Sequence, residues 1–158
     1  MDWQLELWMA GKTLLAAILG ALIGLERTLQ GRPAGVRTYA AVAIGACVFG
    51  MISTRGGLNL ADPTRIASNV VTGMGFIGAG VIIRDRGRTL GLTTAATMWA
   101  TASVGLAIAF DLLVLAIAAA LIIICLLFAD HLPVWRRFQR EEDDESPPPS
   151  SPSQAEGR

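Results

Sequence analysis

The chain has 158 residues, 53% of them hydrophobic and 16% charged, against about a quarter charged in a soluble domain; its mean hydropathy is +0.51. A soluble fold of this size has too much surface to be so apolar, and the length suits one domain. Thirteen basic residues balance thirteen acidic ones, so no bulk field draws nucleic acid to it.

A helix that crosses a bilayer needs about 20 predominantly apolar residues. Five segments approach this. The first runs from about Leu5 to Leu25, with Trp3 and Trp8 suited to an interface and Lys12 expected to snorkel. Glu6 and Lys12 interrupt it, and the N-terminus carries the acids Asp2 and Glu6 without a basic stretch, which does not read as a cleaved signal peptide. The second runs from about Tyr39 to Ile52, with ends extending toward Val36 and Thr54. The third is Ile66 to Ile83, the fourth about Leu90 to Phe110, and the fifth Leu112 to Ala129. One helix through Asp111 would be about twice the membrane thickness, so a turn is expected there. Cys47 and Cys125 each lie inside an apolar run, where they act as small apolar residues and not as a disulfide.

Loop charges orient these spans. Arg27, Arg32 and Arg37 follow the first; Arg84, Arg86 and Arg88 the third; Arg136, Arg137 and Arg140 the fifth. The other side holds Arg55, Arg65 and, within the first span, Lys12. This alternation predicts an all-α integral membrane protein of about five transmembrane helices, N-terminus outside and C-terminus cytoplasmic. The transmembrane helical domain is expected over 1–135. A cytoplasmic tail over 136–158 is basic, then acidic from Glu141 to Glu145, then rich in proline and serine, a composition expected to be disordered.

Two glycine-arginine loops, 31–38 and 87–94, resemble each other at an offset of 56 residues, either as parallel repeats or by chance agreement between glycine-rich loops. The third span contains Gly73, Gly75, Gly78 and Gly80; inside an apolar helix they cannot form a dinucleotide-binding turn. Small residues let helices approach closely in lipid, so this helix is expected to be central and packed on both sides. Gly20 and Gly24 give the first span a similar packing stripe. On the fourth, Thr94, Thr97 and Thr101 share a face; they either bond their own helix carbonyls or line a polar path.

Ionisable residues at membrane depth suggest function. Glu26 and Arg27 end the first span and Arg37 opens the second, so a Glu26–Arg37 ion pair would close that hairpin. Asp62 precedes the third span and either caps it or acts in function. Asn69 and the threonines would contribute to a polar route. The one histidine, His131, lies beyond the last span, and no nucleophile and base stand at a useful spacing, which argues against an enzyme. No metal site and no cofactor are expected; a magnesium ligand would be the exception.

In order, the motifs Gly20-Ala21-Leu22-Ile23-Gly24-Leu25-Glu26-Arg27, Ala34-Gly35-Val36-Arg37-Thr38, Asp62-Pro63-Thr64-Arg65-Ile66-Ala67, the glycine run to Gly80, and Gly91-Leu92-Thr93-Thr94-Ala95-Ala96 with Trp99 resemble the MgtC/SapB family of bacterial membrane proteins. The resemblance covers roughly residues 10 to 110. It adds Thr38, Arg65, Thr93 and Trp99 to the functional candidates Glu26, Arg27, Arg37, Asp62, Asn69 and Thr94. It implies a multi-pass protein of the bacterial inner membrane, tied to magnesium homeostasis, growth in low magnesium and virulence. Action on other membrane proteins, such as the proton-translocating ATP synthase, is implied in place of magnesium carriage; a transporter or channel for magnesium or another cation is the alternative. Longer members bear a C-terminal cytoplasmic ACT-like domain, and this chain is expected to be a short member without it. Beyond the lipid bilayer, a homo-oligomer is a further expected association.

Overall fold

A computed structural model describes residues 2–55, 64–85 and 88–129. The described residues up to Leu127 belong to one compact unit. The described residues hold five helices: α1 (Trp3–Leu29), α2 (Val36–Arg55), α3 (Arg65–Val81), α4 (Leu92–Ala109) and α5 (Leu113–Ala129). By length and composition α1, α2 and α4 are long and apolar enough to cross a membrane, and α5 is a shorter apolar helix. Asp62 and the expected tail lie outside the described residues.

The helix ends follow from local chemistry. After α1, Gly31 takes the left-handed conformation at φ 67°, the Arg32 N–H donates to the Arg27 carbonyl, and the Gly31 N–H donates to that of Thr28. This pairing satisfies carbonyls that a helix end leaves open. Thr28 then links two elements, its hydroxyl donating to the Gly24 carbonyl at 3.1 Å and accepting the Val36 N–H at 3.0 Å where α2 begins. The turn after α4 repeats the first pattern with an unusual residue. Asp111 holds φ 63° where glycine ordinarily stands; its N–H donates to Ile108, and the next, that of Leu112, to Ala107.

Between α3 and α4 the chain forms a short antiparallel hairpin, β1 (Ile83–Asp85) with β2 (Arg88–Leu90), pairing Ile83 with Leu90, Arg84 with Thr89, and Asp85 with Arg88. The sequence reading had both ends as helix. The hairpin also separates the two similar loops: Gly31 and Gly91 are left-handed, but Gly35, which aligns with Gly91, is not. The two loops therefore follow different backbone paths.

The expectation of a central α3 is not met. α2 and α4 form the centre, α1 packing on one side and α3 on the other. Tyr39, Ala43 and Cys47 of α2 and Val104 and Ile108 of α4 are fully buried, whereas α3 buries only Ala67, Met74 and Gly78. Alanine and glycine on several faces of α2 and α4 allow the closest approaches. A methyl on Gly50 would sit 2.6 Å from the Ala109 side chain, and one on Gly105 would strike the Ala43 carbonyl. On α5 a single stripe, Ala116, Ala120, Ile123 and Leu127, is buried.

Candidate functional site

The last two turns of α1 carry a buried polar cluster. Glu26 and Arg27 are 3% and 1% exposed, and Arg27 is the largest fully buried side chain among the described residues. The guanidinium folds back on its neighbour: Nε lies 2.5 Å from Glu26 Oε2, and Nη2 donates to Oε1 at 3.0 Å. Gln30, one turn on, donates its amide to the same Oε1. The carboxylate thus receives three donors, two of them from an opposite charge, which is what a charge removed from water needs. Adjacent residues on a helix diverge by about 100°, so this pairing depends on the length of the arginine side chain.

This corrects the expected Glu26–Arg37 pair. Arg37 is exposed on the first turn of α2 and has no ion pair among the described residues. Arg27 reaches the carboxylate first and fills it. Tyr39, two residues beyond Arg37, feels the charges of both Glu26 and Arg27. Its hydroxyl meets Thr97 Oγ1 of α4 at 2.6 Å. Thr97 also contacts the carbonyls of Thr93 at 2.8 Å and Thr94 at 3.1 Å. A threonine has one proton to give, and here it goes to its own helix, so Tyr39 donates to Thr97. Thr101 donates to the Thr97 carbonyl. The threonine ladder mostly satisfies α4 itself, and only Thr97 links to another helix.

The other candidates scatter. Thr94 is buried, while Thr93 and Trp99 are exposed. Arg65 is exposed at the start of α3, and its carbonyl accepts the Ser68 hydroxyl. Thr38 and Asn69 both line an open, largely apolar cleft of about 840 Å³ between α2 and α3. Of the glycines, Gly20 and Gly24 lie against α2: a methyl on Gly24 would be 2.8 Å from Val36 Cα, and one on Gly20 would be 2.6 Å from the Tyr39 carbonyl oxygen. Gly78 faces Ala95 at an ordinary 3.5 Å, and Gly73, Gly75 and Gly80 face open space. Among the described residues no three of His, Cys, Asp and Glu gather as a metal site would require.

Residues outside the candidate set complete the picture. Gln30 and Tyr39 were missed. Gln30 stands four residues after Glu26, a spacing that puts both on one helix face and was legible. No sequence signal places Tyr39 against Thr97. At the opposite end, Lys12 reaches the turn between α4 and α5. It is buried, 2.7 Å from Asp111 and 3.4 Å from the Ala109 carbonyl, with the Trp8 ring centre 5.8 Å away.

The model of the MgtC family matches residues 13–132 of the chain. Among curated proteins, Protein MgtC of Salmonella typhimurium (strain LT2) is 46% identical over 112 residues, 71% of this chain and 48% of that protein. An uncharacterized protein of Haemophilus influenzae is 44% identical over 105 residues, 61% of this chain and 44% of its own length. The putative magnesium transporter YhiD of Escherichia coli K12 is 37% identical over 132 residues, 79% of this chain and 61% of that protein. The chain spans about half the length of the first two. No solved structure matches it.

Proposed function

The chain belongs to the MgtC family, and from that premise we propose that it is a multi-pass protein of the bacterial inner membrane that serves magnesium homeostasis and growth in low magnesium by modulating other membrane proteins. All five helices span in this reading, N-terminus outside, with the arginine-bearing ends of α1 and α3 in the cytoplasm. The observation that carries it is the Glu26–Arg27–Gln30 cluster. Its one carboxylate is closed by an arginine and an amide of its own helix, so it is built to hold a shape at the cytoplasmic end of α1. A magnesium ion favours several oxygen ligands and retains waters, which this cluster does not offer. A partner such as the proton-translocating ATP synthase fits the family resemblance.

A cation transporter is the second reading. It is favoured by the name of the Escherichia coli relative and by the Tyr39–Thr97 hydroxyl pair between α2 and α4. One pair of experiments separates the two. Purified protein in liposomes is expected to give no magnesium flux above empty vesicles. Expression of the parent in a strain lacking its own homologue is expected to restore growth in low magnesium, and Glu26→Gln to fail at matched membrane levels. Flux that requires Tyr39 and Thr97 would establish the transporter. Normal growth with Glu26→Gln would remove the cluster from the function.

A further inference from the structure

We propose that the β1–β2 hairpin is a recognition element for anionic phospholipid headgroups at the cytoplasmic face, resting on the reading that α3 and α4 span the membrane. The hairpin leaves α3 after Ile82 and returns to α4 through Gly91, so its base stands where two spans end. Ile83 and Leu90 face each other across that base and are 60% and 55% exposed. Ile82 before them and Leu92 after them are exposed as well. Four large apolar side chains without cover, at the mouth of a bilayer, fit the acyl boundary rather than water.

Above this base the chemistry changes within one residue. Arg84 pairs in register with Thr89, and Arg88 with Asp85. Three residues of strand extend about 7–10 Å, and the headgroup layer on each side of a bilayer is roughly 5–8 Å deep. The two arginines therefore rise to the level of lipid phosphates when the apolar base sits at the hydrocarbon edge. Neither has an ion pair among the described residues, and Asp85 is the one carboxylate in the two strands. Arg32 and Arg37, exposed at the same end of the bundle, add to the positive surface. A guanidinium engages phosphate through two parallel hydrogen bonds, and each basic residue at an anionic surface is worth about fivefold in affinity.

The position is held by the backbone. Gly91 is left-handed at φ 89°, and a methyl there would strike the Val81 carbonyl, so the end of β2 is pressed against the end of α3. The hairpin is thereby set on the bundle and not left to swing from it.

The test uses the full chain reconstituted in phosphatidylcholine bilayers with trace spin-labelled phosphatidylglycerol or phosphatidylcholine, reading the lipid immobilised at the protein. The parent is expected to prefer phosphatidylglycerol several-fold, with the preference falling as salt rises. Arg84→Gln/Arg88→Gln should remove most of it, Ile83→Ser/Leu90→Ser should weaken it, and Thr89→Arg should raise it, all at unchanged helix content by circular dichroism. The proposal is overturned if the parent shows no preference, or if either double variant keeps the parent's preference. Absence of immobilised lipid of either kind would instead remove the membrane-spanning reading beneath it.

Discussion

Glu26 and Arg27 neutralise each other almost out of contact with solvent, so neither can be altered alone without leaving the other stranded. Glu26→Gln should lower stability by up to about 3 kcal/mol, since glutamine keeps one acceptor but no charge. The double variant Glu26→Gln/Arg27→Met should be more stable than Glu26→Gln alone, as thermal melts in detergent would read. Additive losses would mean that the pair is not coupled. Lys12 and Asp111 differ, because the burial is one-sided: 6% exposure for the lysine side chain and 66% for the aspartate. Lys12→Met leaves a carboxylate that water can reach and should cost little, below about 1 kcal/mol. Asp111→Asn keeps a residue suited to the left-handed φ of 63° but strands a buried ammonium, and should cost more. The reverse order in melting temperatures would show that the turn depends on the aspartate backbone conformation and not on its charge.

Glycine position divides the helices into those that need bare backbone and those that do not. Gly24→Ala would bring a methyl within 2.8 Å of Val36 Cα and 2.9 Å of the Gly35 carbonyl, and should destabilise the α1–α2 hairpin by roughly 1–3 kcal/mol. Gly73→Ala meets nothing within 4 Å and should be neutral or stabilising by up to about 0.5–1 kcal/mol. Detergent thermal-aggregation curves would rank the two variants, and equal losses would overturn this division. The sequence reading marked the glycines of both α1 and α3 as packing residues, because small residues look alike whether a neighbour is present or not. Only the arrangement of α2 and α4 shows which set is occupied. The hairpin was hidden for a related reason. Ile83 and Leu90 continue apolar helical runs, and the paired strands appear only when the ends of α3 and α4 are brought together.

For the molecule in its membrane, the arginine-bearing loops after α1 and α3 set the expected orientation. A reporter placed after Gly87 should read as cytoplasmic and one near Asn59 as external. Reversal of both would invert the topology, and a cytoplasmic reading at Asn59 alone would mean that α2 does not cross.

Hydropathy and its interruptions determined the helical membrane class and the approximate bounds of all five helices, because a helix satisfies its own backbone within an apolar stretch. The turn at Asp111 followed from length alone. The buried carboxylate was legible in part: Glu26, Arg27 and Gln30 are neighbours on one helix, and their spacing is written in the chain. What the tertiary structure decided is every pairing between distant segments. It left Arg37 apart from Glu26, joined Lys12 to Asp111 and Tyr39 to Thr97, and gave the centre of the bundle to α2 and α4. Periodicity names the face a residue occupies, and only packing decides which other face it meets.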